Sequence, residues 1–222
     1  MAVLGVDGWR GRWVGALLEG RTVTLLALHD VDAVLAVPDV EVVGIDMPIG
    51  LSDDRARACD VAARRLLGRA GSSVFAAPVR AVLGTDDYAE ARALSVAATG
   101  GTSLSAQAFQ LVRSIRSLDD ALGDPPSERV VEVHPELAFR LGLGGVADPK
   151  VTARGLAQRL AALRPVMAVD TALLGAPPLV PAVDALDACA AAWSARRVAD
   201  GVAECVGDGA PDARGRPMRI CW

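Results

Sequence analysis

Lysine is almost missing from this chain: of 23 basic side chains, Lys150 alone is not arginine. Arginine suits bidentate contacts to phosphate or carboxylate, although the same bias follows from a GC-rich coding sequence. Histidine is nearly as scarce. With only His29 and His134, a histidine-built zinc centre or a pair of histidine general bases is nearly excluded. The four cysteines, Cys59, Cys189, Cys205 and Cys221, form no Cys-x-x-Cys pair, so neither a zinc knuckle nor a redox motif is visible. They are expected as buried free thiols, each behaving as a small hydrophobe. The hydrophobic fraction is 52% and the mean hydropathy +0.33, yet no apolar run approaches the roughly 18 residues of a spanning helix. A signal peptide would need an apolar centre where Asp7 and Arg10 stand. The expected location is therefore the cytoplasm, with no membrane contact. A net charge of −4 argues against a generic nucleic-acid coat, which would carry a basic footprint.

What is present reads as an α/β chain of 222 residues, a length that suits one sizeable core. Ala2 to Asp7 is an apolar strand, Trp13 to Leu18 a second and Thr22 to Leu28 a third, joined as an antiparallel meander. After a short segment around Val31 to Ala36, Glu41 to Asp46 is apolar on both faces, as a central parallel strand is. Ser52 is expected to cap a helix that runs to Gly68, with Asp53 and Asp54 in its first turn. A loop carrying Phe75, Pro78 and Arg80 leads to a short helix around Tyr88 to Ala97. Ser105 caps another, in which Phe109, Val112, Ile115, Leu118 and Leu122 recur at helical spacing. Gly123, Pro125 and Pro126 end it. Arg129 to Val133 is a fifth strand, and His134 and Pro135 open a helix through Leu141. Pro149 starts a further helix, whose polar face is marked by Arg154, Arg159 and Arg164. The last long helix runs from Val183 to Ala199 and stops at Gly201. No repeat at a fixed period appears.

The acids carry the chemistry. Asp7 and Asp46 each end an apolar strand, and Asp184 and Asp187 share one face of the last helix. Three separated segments supplying acids without partnering bases suit a hard divalent cation, which prefers oxygen ligands and retains waters. A meander, a crossover, a parallel strand ending in an acid and a late acidic helix is the element order of the RNase H-like fold. There the first and fourth strands lie side by side, so Asp7 and Asp46 would share a crevice. Glu132 points opposite to Val131 and Val133; a ligand, an orienting partner of a bound water and a solvated edge residue are all readings it allows. His134 suits a proton shuttle or a hydrogen-bonded helix opener. Arg55, Arg57, Arg64, Arg65 and Arg69 crowd one helix and read mostly as surface charges. Arg10 and Arg12, next to Trp9 and Trp13, are the better candidates for phosphate contacts because they flank the acids, with Arg80 a further one, and a tryptophan beside arginine could stack on a base.

Taken in order, Gly5-Val6-Asp7-Gly8-Trp9, Gly44-Ile45-Asp46-Met47-Pro48-Ile49-Gly50-Leu51, Cys59-Asp60, Ser73-Val74-Phe75 with Pro78 and Arg80, Leu104-Ser105-x-Gln107, Glu132-Val133-His134-Pro135-Glu136 and Asp184-Ala185-Leu186-Asp187-Ala188 resemble the uncharacterised family of predicted RNase H-like nucleases, domain of unknown function 429. The resemblance covers nearly the whole chain. It implies an RNase H-like mixed five-stranded sheet, three antiparallel strands plus parallel ones, flanked by helices. The domain would span residues 1–222 with a helical insertion at about 52–125. It also implies a magnesium or manganese site on Asp7, Asp46, Asp184 and Asp187, with Glu132 and His134 beside them as catalytic residues. Trp9, Arg10, Arg80 and Gln107 would bind substrate. Val183 stands where the family often has a first of two acids, which leaves open which acid of the last helix binds metal.

The expected activity is metal-dependent hydrolysis of phosphodiester bonds in nucleic acid. Two alternatives are an actin-like nucleotide-dependent phosphotransferase, for which 222 residues hardly provide the second closing domain, and a non-catalytic module that binds nucleic acid or another ligand. The oligomeric state is open, with a homodimer as one outcome.

Overall fold

The computed structural model describes residues 1–124 and 126–222; Pro125, expected among the helix-ending residues, lies outside them. In chain order the elements are β1 (Ala2–Trp9), β2 (Arg12–Glu19), β3 (Thr22–Leu28), α1 (Val31–Leu35), β4 (Val40–Ile45), α2 (Ala58–Leu67), α3 (Tyr88–Thr99), α4 (Ala106–Ala121), β5 (Val130–Glu132), α5 (Pro135–Leu137), α6 (Ala153–Leu163), α7 (Val169–Leu174) and α8 (Ala182–Ala199). Strands β1 to β5 form one mixed sheet in the order β3-β2-β1-β4-β5, and two further short strands, Cys205–Val206 and Ile220–Cys221, lie outside it. The β1–β2 and β2–β3 pairs are antiparallel; β1–β4 and β4–β5 are parallel. This is the sheet order of the RNase H-like fold.

Local sequence explains the strands. β1 is buried from Ala2 through Asp7, as a continuous apolar run covered on both faces must be. β3 instead starts in alternation between exposed and buried positions, as an edge strand does. The β1–β2 hairpin closes through Arg10 and Gly11, both left-handed at φ 49° and 74°. Two consecutive positive φ values define the turn whose twist matches a tight hairpin.

The chain divides into two compact units. The first comprises Met1–Met47, Arg129–Glu204 and Cys221–Trp222. Its core is the sheet with α8, where Ala185 to Ala192 are all buried. The second comprises Pro48–Glu128 and Cys205–Ile220, and Val79, Val82, Ala91, Leu104, Ala108 and Val112 pack together inside it.

Several local expectations are corrected. α2 begins at Ala58 rather than Ser52, because the Ser52 hydroxyl accepts from the amides of Asp54 and Arg55 in a turn of its own. Arg57 is not a surface charge. Its side chain is 1% exposed; Nη1 donates to the carbonyls of Ile49 and Gly50 at 3.1 and 3.2 Å, and Nη2 to Asp60 at 2.5 Å. α6 starts at Ala153 with Thr152 as its cap, and Pro149 lies in the turn before it. Arg159, read as part of a polar face, is fully buried. Cys59 and Cys189 are free and buried, whereas Cys205 and Cys221 are disulfide-bonded. Spacing along the chain does not carry that outcome. Among the described residues, no helix is long and apolar enough to cross a membrane.

Candidate metal centre

Asp7 and Asp46 owe their shared orientation to strand alternation. β1 and β4 pair in parallel with Gly5 opposite Gly44 and Val6 opposite Ile45, and the Asp46 amide continues the ladder by donating to Val6 at 2.9 Å. Each acid stands two residues beyond a glycine, so it points to the same face as that glycine. α8 crosses this face at backbone distance. A Cβ on Gly5 would lie 2.0 Å from the Ala192 nitrogen and 2.2 Å from the Ala188 carbonyl oxygen; one on Gly44 would lie 2.9 Å from the Ala191 carbonyl oxygen. Only glycine fits there. Asp187 precedes Ala188 on the helix and Asp184 lies about one turn further back.

The carboxylates consequently act on one another. Burial pushes Asp7 well above the usual carboxylate range, with Asp46, Asp187 and Asp184 adding to the effect and Lys150 opposing it. Asp46 is also raised, by burial first; His134 and Lys150 pull it down and Glu136 pushes it up. Burial lifts Asp187 to about 6 against the pull of Lys150. Asp184 is raised by burial, opposed by Lys150 and Arg10. Lys150 Nζ donates to Asp187 Oδ2 at 2.6 Å, so the expectation of acids without a partnering base fails at Asp187. Burial opposes the lysine's charge, but Asp187, Asp7 and Asp46 outweigh it and hold its pKa above the ordinary lysine value.

Lys150 was not legible as a site residue, although its being the only lysine was a signal. Glu136 accepts from Arg140 at 2.8 Å and from Arg159. These two arginines hold its carboxyl below the usual range against a burial that would raise it.

Other candidates are distributed more widely. Glu132 lies beside Ile45 in register, hence on the sheet face opposite Asp7 and Asp46, and it is buried rather than a solvated edge. His134 precedes α5, close enough to Asp46 to influence its charge. Trp9 ends β1, and its indole nitrogen is buried without a hydrogen-bond partner. Arg10 is exposed on the hairpin turn, with its charge felt at Asp184. Arg80 and Gln107 belong to the second unit. There Arg80 binds Asp119 at 2.9 Å and also Asp212, while Gln107 lines an open cavity of about 620 Å³ with Arg64, Phe75 and Ser103.

The donor set is all carboxylate, and Asp187 Oδ1 is a buried acceptor with no hydrogen-bond partner. Both features suit a hard cation. Among the described residues, no group of three or more His, Cys, Asp or Glu side chains is arranged to hold a metal ion. Magnesium is usually held by one or two carboxylates, with waters and substrate phosphates completing its shell.

A family model described as "Protein of unknown function (DUF429)" matches residues 5–212. No curated protein and no solved structure matches the chain.

Proposed function

The chain belongs to the DUF429 family, and from that membership and the geometry around Asp7 we propose that it is a divalent-metal-dependent nuclease, hydrolysing phosphodiester bonds of nucleic acid. The observation that carries this reading is the buried, unpartnered Asp187 Oδ1 beside the acids that end two adjacent parallel strands. Asp7, Asp46 and Asp187, with Asp184 at the margin, would hold magnesium or manganese, which when bound supplies Lewis acidity and an activated water.

The remaining roles fall to the chain's own groups. Lys150 offsets part of the negative charge that would otherwise repel a phosphodiester. Arg10, exposed on a two-residue turn next to the acids, would meet the nucleic-acid backbone. His134, near Asp46, is a candidate to accept or return a proton. The reading carries a cytoplasmic location, in which the disulfide-bonded Cys205 and Cys221 would have to withstand a reducing pool; cell fractionation checks it.

The experiment is incubation of the purified chain with labelled single-stranded, duplex and hybrid oligonucleotides, with magnesium, with manganese and with chelator. Metal-dependent cleavage that disappears in Asp7→Asn and Asp46→Asn is the expected result. ATP hydrolysis without cleavage would favour a phosphotransferase, and retention of oligonucleotide without either would leave a binding module.

A further inference from the structure

The three residues before the only lysine in the chain are tied down by hydrogen bonds. Gln158 Oε1 accepts from the amides of Ala147 and Asp148 at 3.2 and 3.0 Å, and its Nε2 donates to the Asp148 carboxylate at 2.7 Å. Arg159 Nη1 donates to the Asp148 carbonyl at 3.1 Å and Arg140 Nη2 to the Ala147 carbonyl at 3.2 Å. Glu136 binds both of those arginines. Pro149 accepts from the Thr152 amide and hydroxyl at 3.0 and 2.9 Å. It lies so close to α6 that a Cβ on Gly155 would sit 2.0 Å from its carbonyl oxygen. A lysine free on the surface needs no such clamp; this one ends with its ammonium on Asp187 Oδ2 at 2.6 Å.

Two metal ions about 3.5–4 Å apart need carboxylates that reach both. Here one Asp187 oxygen is engaged by Lys150 and only Oδ1 lacks a partner. Seating a second ion would require breaking the Lys150–Asp187 ion pair. We propose that Lys150 is a built-in cation standing in for one of two metal ions, so that the site takes a single divalent ion. The proposal rests on the metal reading above, though not on the identity of the substrate. It also gives Glu136 a role as a positioning residue, acting on Lys150 through Arg140 and Arg159.

Manganese titration of the full chain, followed by electron paramagnetic resonance and calorimetry, tests it. Wild type is expected to bind one manganese per chain with the six-line spectrum of an isolated ion. Lys150→Gln is expected to bind manganese roughly ten-fold more tightly, or to admit a second, spin-coupled ion, because a unit of positive charge has left the site. Lys150→Arg, which keeps the charge, should retain a single ion. The lysine side chain is 42% exposed, so these variants are expected to fold, and circular dichroism verifies it. Two coupled ions in wild type, no manganese binding, or a Lys150→Gln titration identical to wild type would each overturn the proposal. One bound manganese without oligonucleotide cleavage removes the nuclease reading and leaves this one standing; cleavage with two coupled ions does the reverse.

Discussion

Gly5 lies beneath Ala192 so closely that a Cβ added to it would stand 2.0 Å from the Ala192 backbone nitrogen. The obstacle is main chain rather than a flexible side-chain end, so α8 itself must move to relieve it. Overpacking of this kind typically costs about 1–3 kcal/mol and sometimes more, and a clash with backbone belongs at the upper end. Gly5→Ala should therefore lose about 3 kcal/mol or more in urea unfolding. Gly44→Ala, whose nearest contact would be 2.9 Å, should lose less. Equal, small losses in both would show that the helix can lift without consequence.

Asp7→Asn should abolish metal-dependent cleavage and yet stabilise the metal-free chain. Burial and the neighbouring acids raise Asp7 in the folded state, while its unfolded value stays near 3.9. Between those values the folded chain keeps a proton that the unfolded chain has released, so this contribution to stability falls as pH rises and is fully lost above the folded value. Asparagine removes the dependence. The variant's gain in melting temperature, about 2–4 °C for each kcal/mol relieved, should be largest near pH 8 and vanish below about pH 4. Thermal unfolding in chelator across that range measures it, and a gain that grew towards low pH would contradict the assignment.

Arg159→Met should be costly although no catalytic role is given to this residue. The guanidinium is fully buried, binds Glu136 and lies over the Phe139 ring at 5.2 Å. Breaking a buried pair costs about 3–5 kcal/mol where the other charge is left alone; Glu136 keeps Arg140 at 2.8 Å, so the loss should fall at the low end of that range. Unfolding in urea checks the loss. Weaker protection of the Ala147 and Asp148 amides in hydrogen exchange would report the loosened Lys150 loop.

Arg80→Gln separates a structural from a substrate-binding arginine. Its guanidinium is shared between Asp119 and Asp212, and the Asp212 side chain is fully buried. The expected loss is about 2 kcal/mol of stability, since hydrogen bonds to charged groups are worth about 1.5–3 kcal/mol each. Oligonucleotide affinity at a temperature where the variant is folded should change less than two-fold; a larger drop in affinity with no loss of stability would place Arg80 on the substrate instead.

How much of this was legible follows from what each signal depends on. The strands and the acids at the strand ends are local statements. Apolar runs, turn residues and alternation express them within a few positions. The start of α2 was misread because Ser52 and two following acids satisfy the local rules for a helix cap. What decides the matter is Arg57 reaching back to the carbonyls of Ile49 and Gly50. Arg159 was misread for a similar reason: an arginine pattern does not reveal that Glu136 waits in the interior to receive it.

By itself the amino-acid sequence determined which residues could be strands, which acids would stand at their ends, and that two glycines would lie one alternation before those acids. These are consequences of backbone geometry and side-chain period. Only the tertiary structure decided that α8 would press onto Gly5 and Gly44, that Cys205 and Cys221 would be oxidised, and that Lys150 would be delivered to Asp187 from a distant loop. Charges remote in the chain become partners only when burial strips away the water that would otherwise screen each alone, and no local pattern encodes that meeting.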